Sequence, residues 1–98
     1  MENKEQKIDN KLNLSYSRLT KLPENIPSSL QKLDCSDNQL TELPENLPSS
    51  LQILYCSYNQ LTKLPGNLPI SLQKLYCSNN PCLYIPKKYA IRFNILWT

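Results

Sequence analysis

Four cysteines are the residues of this 98-residue chain that could do chemistry. Cys35, Cys56 and Cys77 recur at a spacing of 21 residues, and Cys82 follows shortly after the last of them. Thiols in such an arrangement could hold zinc, form disulfides or act as nucleophiles. Because the chain has no His, imidazole-based triads and zinc–histidine sites are excluded.

The spacing of the thiols argues against each of these chemistries. If the regularly spaced cysteines lie on neighbouring parallel strands, Cys35 and Cys77 are roughly 9.6 Å apart. One zinc ion needs all its sulfur ligands at about 2.3 Å. A disulfide between adjacent strands is disfavoured because the side chains point in parallel directions. We therefore predict buried, unreactive thiols, Cys82 included, with no metal, no cofactor and no enzymatic activity.

The cysteines belong to a longer repeat. Residues 30–50 read LQKLDCSDNQLTELPENLPSS and residues 51–71 read LQILYCSYNQLTKLPGNLPIS, so 15 of 21 positions are identical. An incomplete copy precedes these two, and a further copy begins at Leu72 and diverges after Asn80. The repeat accounts for a composition of 18 Leu and 11 Asn but only 1 Gly. This period and leucine spacing are typical of leucine-rich repeats.

Equivalent positions of successive repeats form columns, and two apolar columns lie two positions apart. This spacing predicts one strand of about three residues per repeat, with its apolar side chains pointing inward. The columns are Leu12, Leu33, Leu54 and Leu75, then Leu14, Cys35, Cys56 and Cys77. A third column predicts a ladder of asparagine side chains that form hydrogen bonds with the backbone of adjacent coils. The alternative is that Asn occurs there only because it is favoured in turns. This column contains Asn38, Asn59 and Asn80, with Ser17 in the first copy.

Paired prolines in each return limb block a regular helix. The pairs are Pro23 and Pro27, Pro44 and Pro48, and Pro65 and Pro69. The predicted fold is thus a leucine-rich-repeat solenoid. Short parallel β-strands lie on its concave side, the convex side is extended and polyproline-like, and helix is confined to a C-terminal cap.

The sequence divides into three segments. Residues 1–11 form a polar N-terminal cap or frayed segment, residues 12–86 form about four coils, and residues 87–98 form a C-terminal capping segment. In the last segment an apolar stripe at helical spacing predicts a short helix or irregular coil that closes the last repeat. It comprises Tyr89, Phe93, Leu96 and Trp97. The alternative for this segment is a basic amphipathic membrane anchor.

The charge and hydropathy of the chain limit the kinds of partner and the cellular location that we expect. Residues 1–80 carry 8 basic and 8 acidic side chains, and the net charge of +3 comes from Lys87, Lys88 and Arg92. A neutral body argues against nucleic acid as a partner. No apolar run is long enough to span a membrane, and no signal peptide is visible. We expect a reducing, cytoplasmic location, which includes a host cytosol.

The rhythm LPxxLPxSLxxLxxxxNxLxxLP, from about Leu12 to Pro86, resembles the short bacterial-type repeats of the leucine-rich-repeat superfamily. The LYCSxNxL strings are similar to those of leucine-rich-repeat proteins from giant DNA viruses. Repeats of this kind occur in secreted bacterial effectors. The resemblance implies a solenoid of the viral or bacterial effector-like type. An appended ubiquitin-ligase domain, found in some effectors, is not expected in a chain of this length.

The strand residues that point away from the core define a candidate binding face. Tyrosine provides large contact area with few torsions to freeze, so a concentration of tyrosines favours recognition of a protein or peptide. Their alternative role is strand stabilisation by stacking. Tyr55 and Tyr76 are expected to stack about 5 Å apart, with both rings and that of Tyr58 exposed. The predicted partner-binding residues are Tyr55, Tyr58, Tyr76, Ile53, Asp34, Asp37, Tyr16 and Asn79.

The sequence therefore predicts a non-catalytic protein-binding module. The alternative is a structural piece that self-associates weakly, or docks on a larger repeat assembly, through the open edge of its sheet.

Overall fold

The computed structural model describes residues 10–95 as one stack of coils. Each of the four coils contributes one three-residue strand: β1 Lys11–Asn13, β2 Lys32–Asp34, β3 Ile53–Tyr55 and β4 Lys74–Tyr76. A single helix, α1 Lys87–Arg92, follows the last strand. Between residues 20 and 80 the return limbs contain no helix, as the paired prolines predict.

The four strands form one parallel sheet in the order β1-β2-β3-β4. The register pairs Leu12 with Leu33, Leu33 with Leu54 and Leu54 with Leu75. Each coil therefore places its equivalent residues directly beside those of the next coil, and the predicted solenoid fold is confirmed.

The core lies behind the sheet, along the axis of the stack. Leu33, Leu54, Cys35 and Cys56 are completely buried, and Leu75 is nearly so, as predicted. Apolar residues of the return limbs close the core from the other side. Of these, Leu22, Leu43, Leu64 and Leu68 are buried, and Ile26 and Leu47 are half-buried. A single coil could not bury these side chains, so the core exists only through stacking.

The predicted asparagine ladder is present. The Asn59 side-chain NH₂ donates to the carbonyls of Cys35, Cys56 and Ser57, and its Oδ1 accepts from the Leu40 N–H at 3.0 Å. Asn38 and Asn80, like Asn59, are buried and repeat this pattern. Each asparagine thus satisfies backbone groups of its own coil and of the preceding one.

A second ladder, not predicted from the sequence, runs along the return limbs. The Ser50 hydroxyl donates to the carbonyls of Ser28 and Leu30, and the Ser71 hydroxyl donates to those of Ser49 and Leu51. These hydroxyls join each return limb to the limb of the preceding coil.

Helix α1 takes the place of a fourth return limb and completes this ladder. The Arg92 guanidinium donates to the carbonyls of Ile70 and Leu72, which are the equivalents of the serine acceptors. The buried Tyr89 hydroxyl contacts the Pro65 carbonyl at 2.7 Å and accepts from the Leu68 N–H at 3.1 Å. Of the two forms predicted for this segment, the structure shows the short helix, with Tyr89 buried.

Two further expectations fall on residues that the structure does not describe. Leu96 and Trp97 of the apolar stripe lie outside residues 10–95, as does nearly all of the predicted N-terminal cap. Within the described range, no helix has the length and apolar character needed to cross a bilayer.

Candidate binding surface

The strands present alternate side chains away from the core, on a surface that we call the open sheet face. Its first column precedes the buried leucines and its second column follows them. The face comprises Lys11, Lys32, Ile53 and Lys74, then Asn13, Asp34, Tyr55 and Tyr76. Ile53 and Asp34 are half-buried, whereas Lys74 and Tyr76 are exposed.

Tyr55 and Tyr76 stack on this face. Their ring centroids are 4.8 Å apart and their planes differ by 7°, as the strand spacing predicts. Tyr76 is 44 % exposed, whereas Tyr55 is half-buried. The expectation that the rings of Tyr55, Tyr58 and Tyr76 are all substantially exposed is therefore wrong for Tyr55. Tyr55 lies on β3 between β2 and β4, whereas Tyr76 lies on the edge strand and has a neighbouring strand on one side only.

The other predicted tyrosines lie beyond the strands, in a turn column formed by Tyr16, Asp37, Tyr58 and Asn79. All four residues have left-handed backbone, with φ between 56° and 58°. Their alignment between coils persists, since the Asp37 N–H donates to the Ser57 carbonyl and the Tyr58 N–H to the Ser78 carbonyl. Tyr16 is 79 % exposed and Tyr58 is 57 % exposed.

The left-handed backbone is more favourable for some residue types in the turn column than for others. A left-handed conformation costs an ordinary L-residue about 1–2 kcal/mol, whereas Asn and Asp tolerate it better. Asp37 and Asn79 therefore suit their positions, and Tyr16 and Tyr58 do not. The sequence gives no local reason for tyrosine at either place.

Asp34 and Asp37 on the second coil are each adjacent to a tyrosine at the equivalent position of the third coil. The register places Asp34 beside Tyr55, and the matching backbone bonds place Asp37 beside Tyr58. The Asp34 carboxylate is held by the Ser36 N–H, which donates to Oδ1 at 3.0 Å. The structure therefore brings Asp34, Asp37, Tyr55, Tyr58 and Tyr76 together on the second to fourth coils, with Ile53 beside them.

Tyr16 and Asn79 are more peripheral. Tyr16 lies on the first coil, where it lines a small pocket of about 220 Å³ with Arg18 and Asp37. Asn79 lies on the fourth coil, at the opposite end of the turn column. Sequence reasoning passed over Arg18, which also has left-handed backbone, because its copy departs from the repeat at this point.

The thiols of the core column are poor nucleophiles. Burial, with the neighbouring Asp34 carboxylate, raises the pKa of Cys35 to about 12. Burial also raises the pKa of Cys56 well above its ordinary value and that of Cys77 above its ordinary value. At neutral pH these groups remain protonated, and the thiolate is the reactive form.

Cys82 does not share their environment. It was expected in the core, but it is exposed. Asn80 and Pro81 begin a turn in which the Leu83 N–H donates to the Asn80 carbonyl, and Leu83 packs against the core instead. Among residues 10–95, no three His, Cys, Asp or Glu side chains form a group that could hold a metal ion.

These environments predict thiol reactivity. With a disulfide-exchange reagent at pH 7.5, we expect the native chain to release one equivalent rapidly, from Cys82, and four equivalents after denaturation. A Cys82→Ser variant serves as the control and should release none rapidly. Rapid reaction of Cys35, Cys56 or Cys77 in the native state would contradict the burial described above.

The parallel strands, the apolar columns and the buried asparagine ladder define a leucine-rich-repeat solenoid. The family model described as leucine rich repeats (2 copies) matches residues 28–69. Such folds are generally protein-interaction scaffolds without enzymatic activity.

Two solved structures are similar to the chain. YopM from Yersinia enterocolitica WA-314 is 37 % identical, with a TM-score of 0.67 over 76 % of this chain and 18 % of that one. The leucine-rich-repeat domain of a Shigella effector is 32 % identical, with a TM-score of 0.63 over 81 % of this chain and 44 % of that one. This chain therefore spans less than half the length of either. No curated protein matches it.

Proposed function

We propose that the chain is a non-catalytic binding module that recognises a protein or peptide through the open sheet face and the adjoining turn column. The observation that carries the proposal is the placement of Tyr58 and Tyr16, two exposed tyrosines on left-handed backbone. Residues held in unfavourable backbone conformations concentrate at functional sites. The proposed setting is a reducing cytoplasm, which includes a host cytosol.

Folding alone does not account for these tyrosines. Tyr16 is 79 % exposed, so packing offsets little of its conformational cost, and Tyr58 keeps more than half of its surface exposed. The same column holds Asp37 and Asn79, which shows that the coil accepts residues better suited to the turn. Exposed tyrosines at such positions fit a role in contact with a partner, where they are favoured.

Replacement of Tyr58 by Asn tests the proposal. We expect the unfolding free energy to rise by about 0.5–1 kcal/mol in urea titrations, because Asn tolerates the left-handed backbone. We expect affinity for a peptide selected on the wild type from a phage-displayed random library to fall at least fivefold, since the ring is lost. Tyr76→Asn should weaken binding in the same way.

Ile70→Ser provides the matched control for this experiment. Ile70 is 97 % exposed on the return limb of the third coil, and Ser28 and Ser49 occupy its equivalent positions. It should leave the affinity unchanged. If Tyr58→Asn lowers stability and leaves peptide affinity at the wild-type value, the tyrosine is structural and the proposal fails.

Self-association is a second candidate function, favoured by a groove of mixed polar and apolar lining beside the outer strand β4. The groove has a volume of about 690 Å³ and is lined by Leu75, Leu83, Ile85 and Phe93, among others. A second copy of the chain docked there would raise the mass measured by light scattering as concentration increases. A constant monomer mass would leave the binding module as the remaining candidate.

A further inference from the structure

The second and third coils differ in side-chain length at the point where they meet. On the second coil stand the carboxylates of Asp34 and Asp37, and on the third coil stand the longer rings of Tyr55 and Tyr58. We call this boundary the Asp–Tyr step. It places Asp34 beside Tyr55 and Asp37 beside Tyr58, on the surface proposed above for binding.

Tyr55 is half-buried, and Tyr76 stacks on only one face of its ring. Tyr76 stacks in parallel, at 4.8 Å between centroids, and thereby fixes the orientation of the ring. Because the stack runs from β3 to β4, the face of Tyr55 away from Tyr76 is directed towards β2 and Asp34. Asp34 is in turn fixed by the Ser36 N–H.

This combination matches a guanidinium group. A planar guanidinium stacks on an aromatic face and donates paired hydrogen bonds to a carboxylate from its edge. We infer that the Asp–Tyr step accepts an arginine side chain of a peptide or loop of the partner. The inference rests on the proposed function and names the chemistry that the surface recognises.

Neighbouring cations determine what surrounds that arginine. Lys32 and Lys74, with Lys11, form a positive column two residues before the Asp34–Tyr55 column, about 7 Å away along the strands. Arg18 lies on the first coil, on the side of Asp37 opposite to Tyr58. A run of basic residues would be repelled by these cations, so the matching ligand is a single arginine flanked by neutral or acidic residues.

The chain itself supplies matched substitutions. Asn13 and Asn79 occupy the positions equivalent to Asp34 and Asp37. Asn13 accepts the N–H of Ser15 at 3.0 Å, as Asp34 accepts that of Ser36. The Asp34→Asn/Asp37→Asn variant should therefore keep both turns and remove only the two charges.

The test begins with selection of random 12-residue peptides displayed on phage against the wild-type chain. We expect the selected peptides to share one arginine without neighbouring lysine or arginine. A synthetic peptide of that sequence should bind at least tenfold more tightly than the same peptide with citrulline at the arginine position, since citrulline keeps the shape and loses the charge. In Asp34→Asn/Asp37→Asn this difference should disappear.

The outcomes separate this inference from the proposed function. Peptides without arginine, or a preference for arginine over citrulline that persists in the double variant, would overturn the inference. If such peptides still lose affinity for Tyr58→Asn and Tyr76→Asn, the binding function stands. If no peptide is enriched on the wild type above the Tyr58→Asn/Tyr76→Asn variant, both proposals fail.

Discussion

Replacing Leu54 by Ala is expected to lower the unfolding free energy by about 2–5 kcal/mol. Leu54 is completely buried on the central strand β3 and lies between Leu33 and Leu75 in the leucine column. Its truncation leaves a cavity that both neighbouring coils line. Since each coil is stabilised mainly by its neighbours, weakening a central coil also uncouples the coils on either side.

Urea unfolding followed by circular dichroism measures this loss. Ile70→Ala is the control, because it removes a side chain of similar size that is 97 % exposed. That control should change the unfolding free energy by no more than about 0.5 kcal/mol. A loss below about 1 kcal/mol for Leu54→Ala would show that the leucine column is not the core.

For Asn59→Ala we expect a loss of about 1–3 kcal/mol, although the substitution removes no apolar surface from the core. The Asn59 amide bonds the carbonyls of Cys35 and Cys56 and the N–H of Leu40. Alanine leaves these groups without the side chain that satisfies them, and an unsatisfied buried polar group costs about 1–3 kcal/mol.

Asn67→Ala provides the comparison for Asn59→Ala. Asn67 lies on a return limb and is exposed, so its truncation should have little effect on the unfolding free energy. Asn59→Ala and Asn67→Ala remove the same chemical group, so the difference between them isolates the contribution of the buried ladder. Equal stabilities of the two variants would remove the argument that the ladder holds adjacent coils together.

Much of the fold could be predicted because one rule recurs at fixed spacing. Leu33, Leu54 and Leu75 lie side by side as their spacing predicts, and the asparagine column bonds adjacent coils. In a solenoid each repeat contacts mainly its neighbours, so periodicity along the chain translates directly into proximity in space. The paired prolines likewise predicted the absence of helix between residues 20 and 80.

Prediction failed where the repeat changes. The 21-residue spacing from Leu61 predicts a core position for Cys82, but the turn at Asn80 and Pro81 exposes it. The hydrogen bond of Arg92 to the Leu72 carbonyl could not be predicted either. In the earlier coils a serine hydroxyl bonds the equivalent carbonyl, and an arginine is not similar to a serine in sequence. Equivalence of function without similarity of residue type is not visible in a sequence pattern.

The sequence by itself determined the period, the strand positions, the core columns and the pairing of Tyr55 with Tyr76, since all of these follow from spacing. Only the tertiary structure decided how the candidate surface is built. It placed Tyr16 and Tyr58 on left-handed backbone, stacked Tyr76 on one face of Tyr55 and placed Asp34 on the neighbouring strand towards the other face. These features depend on backbone torsions and on which neighbouring side chain is longer, and no periodic pattern of residue types encodes either of them.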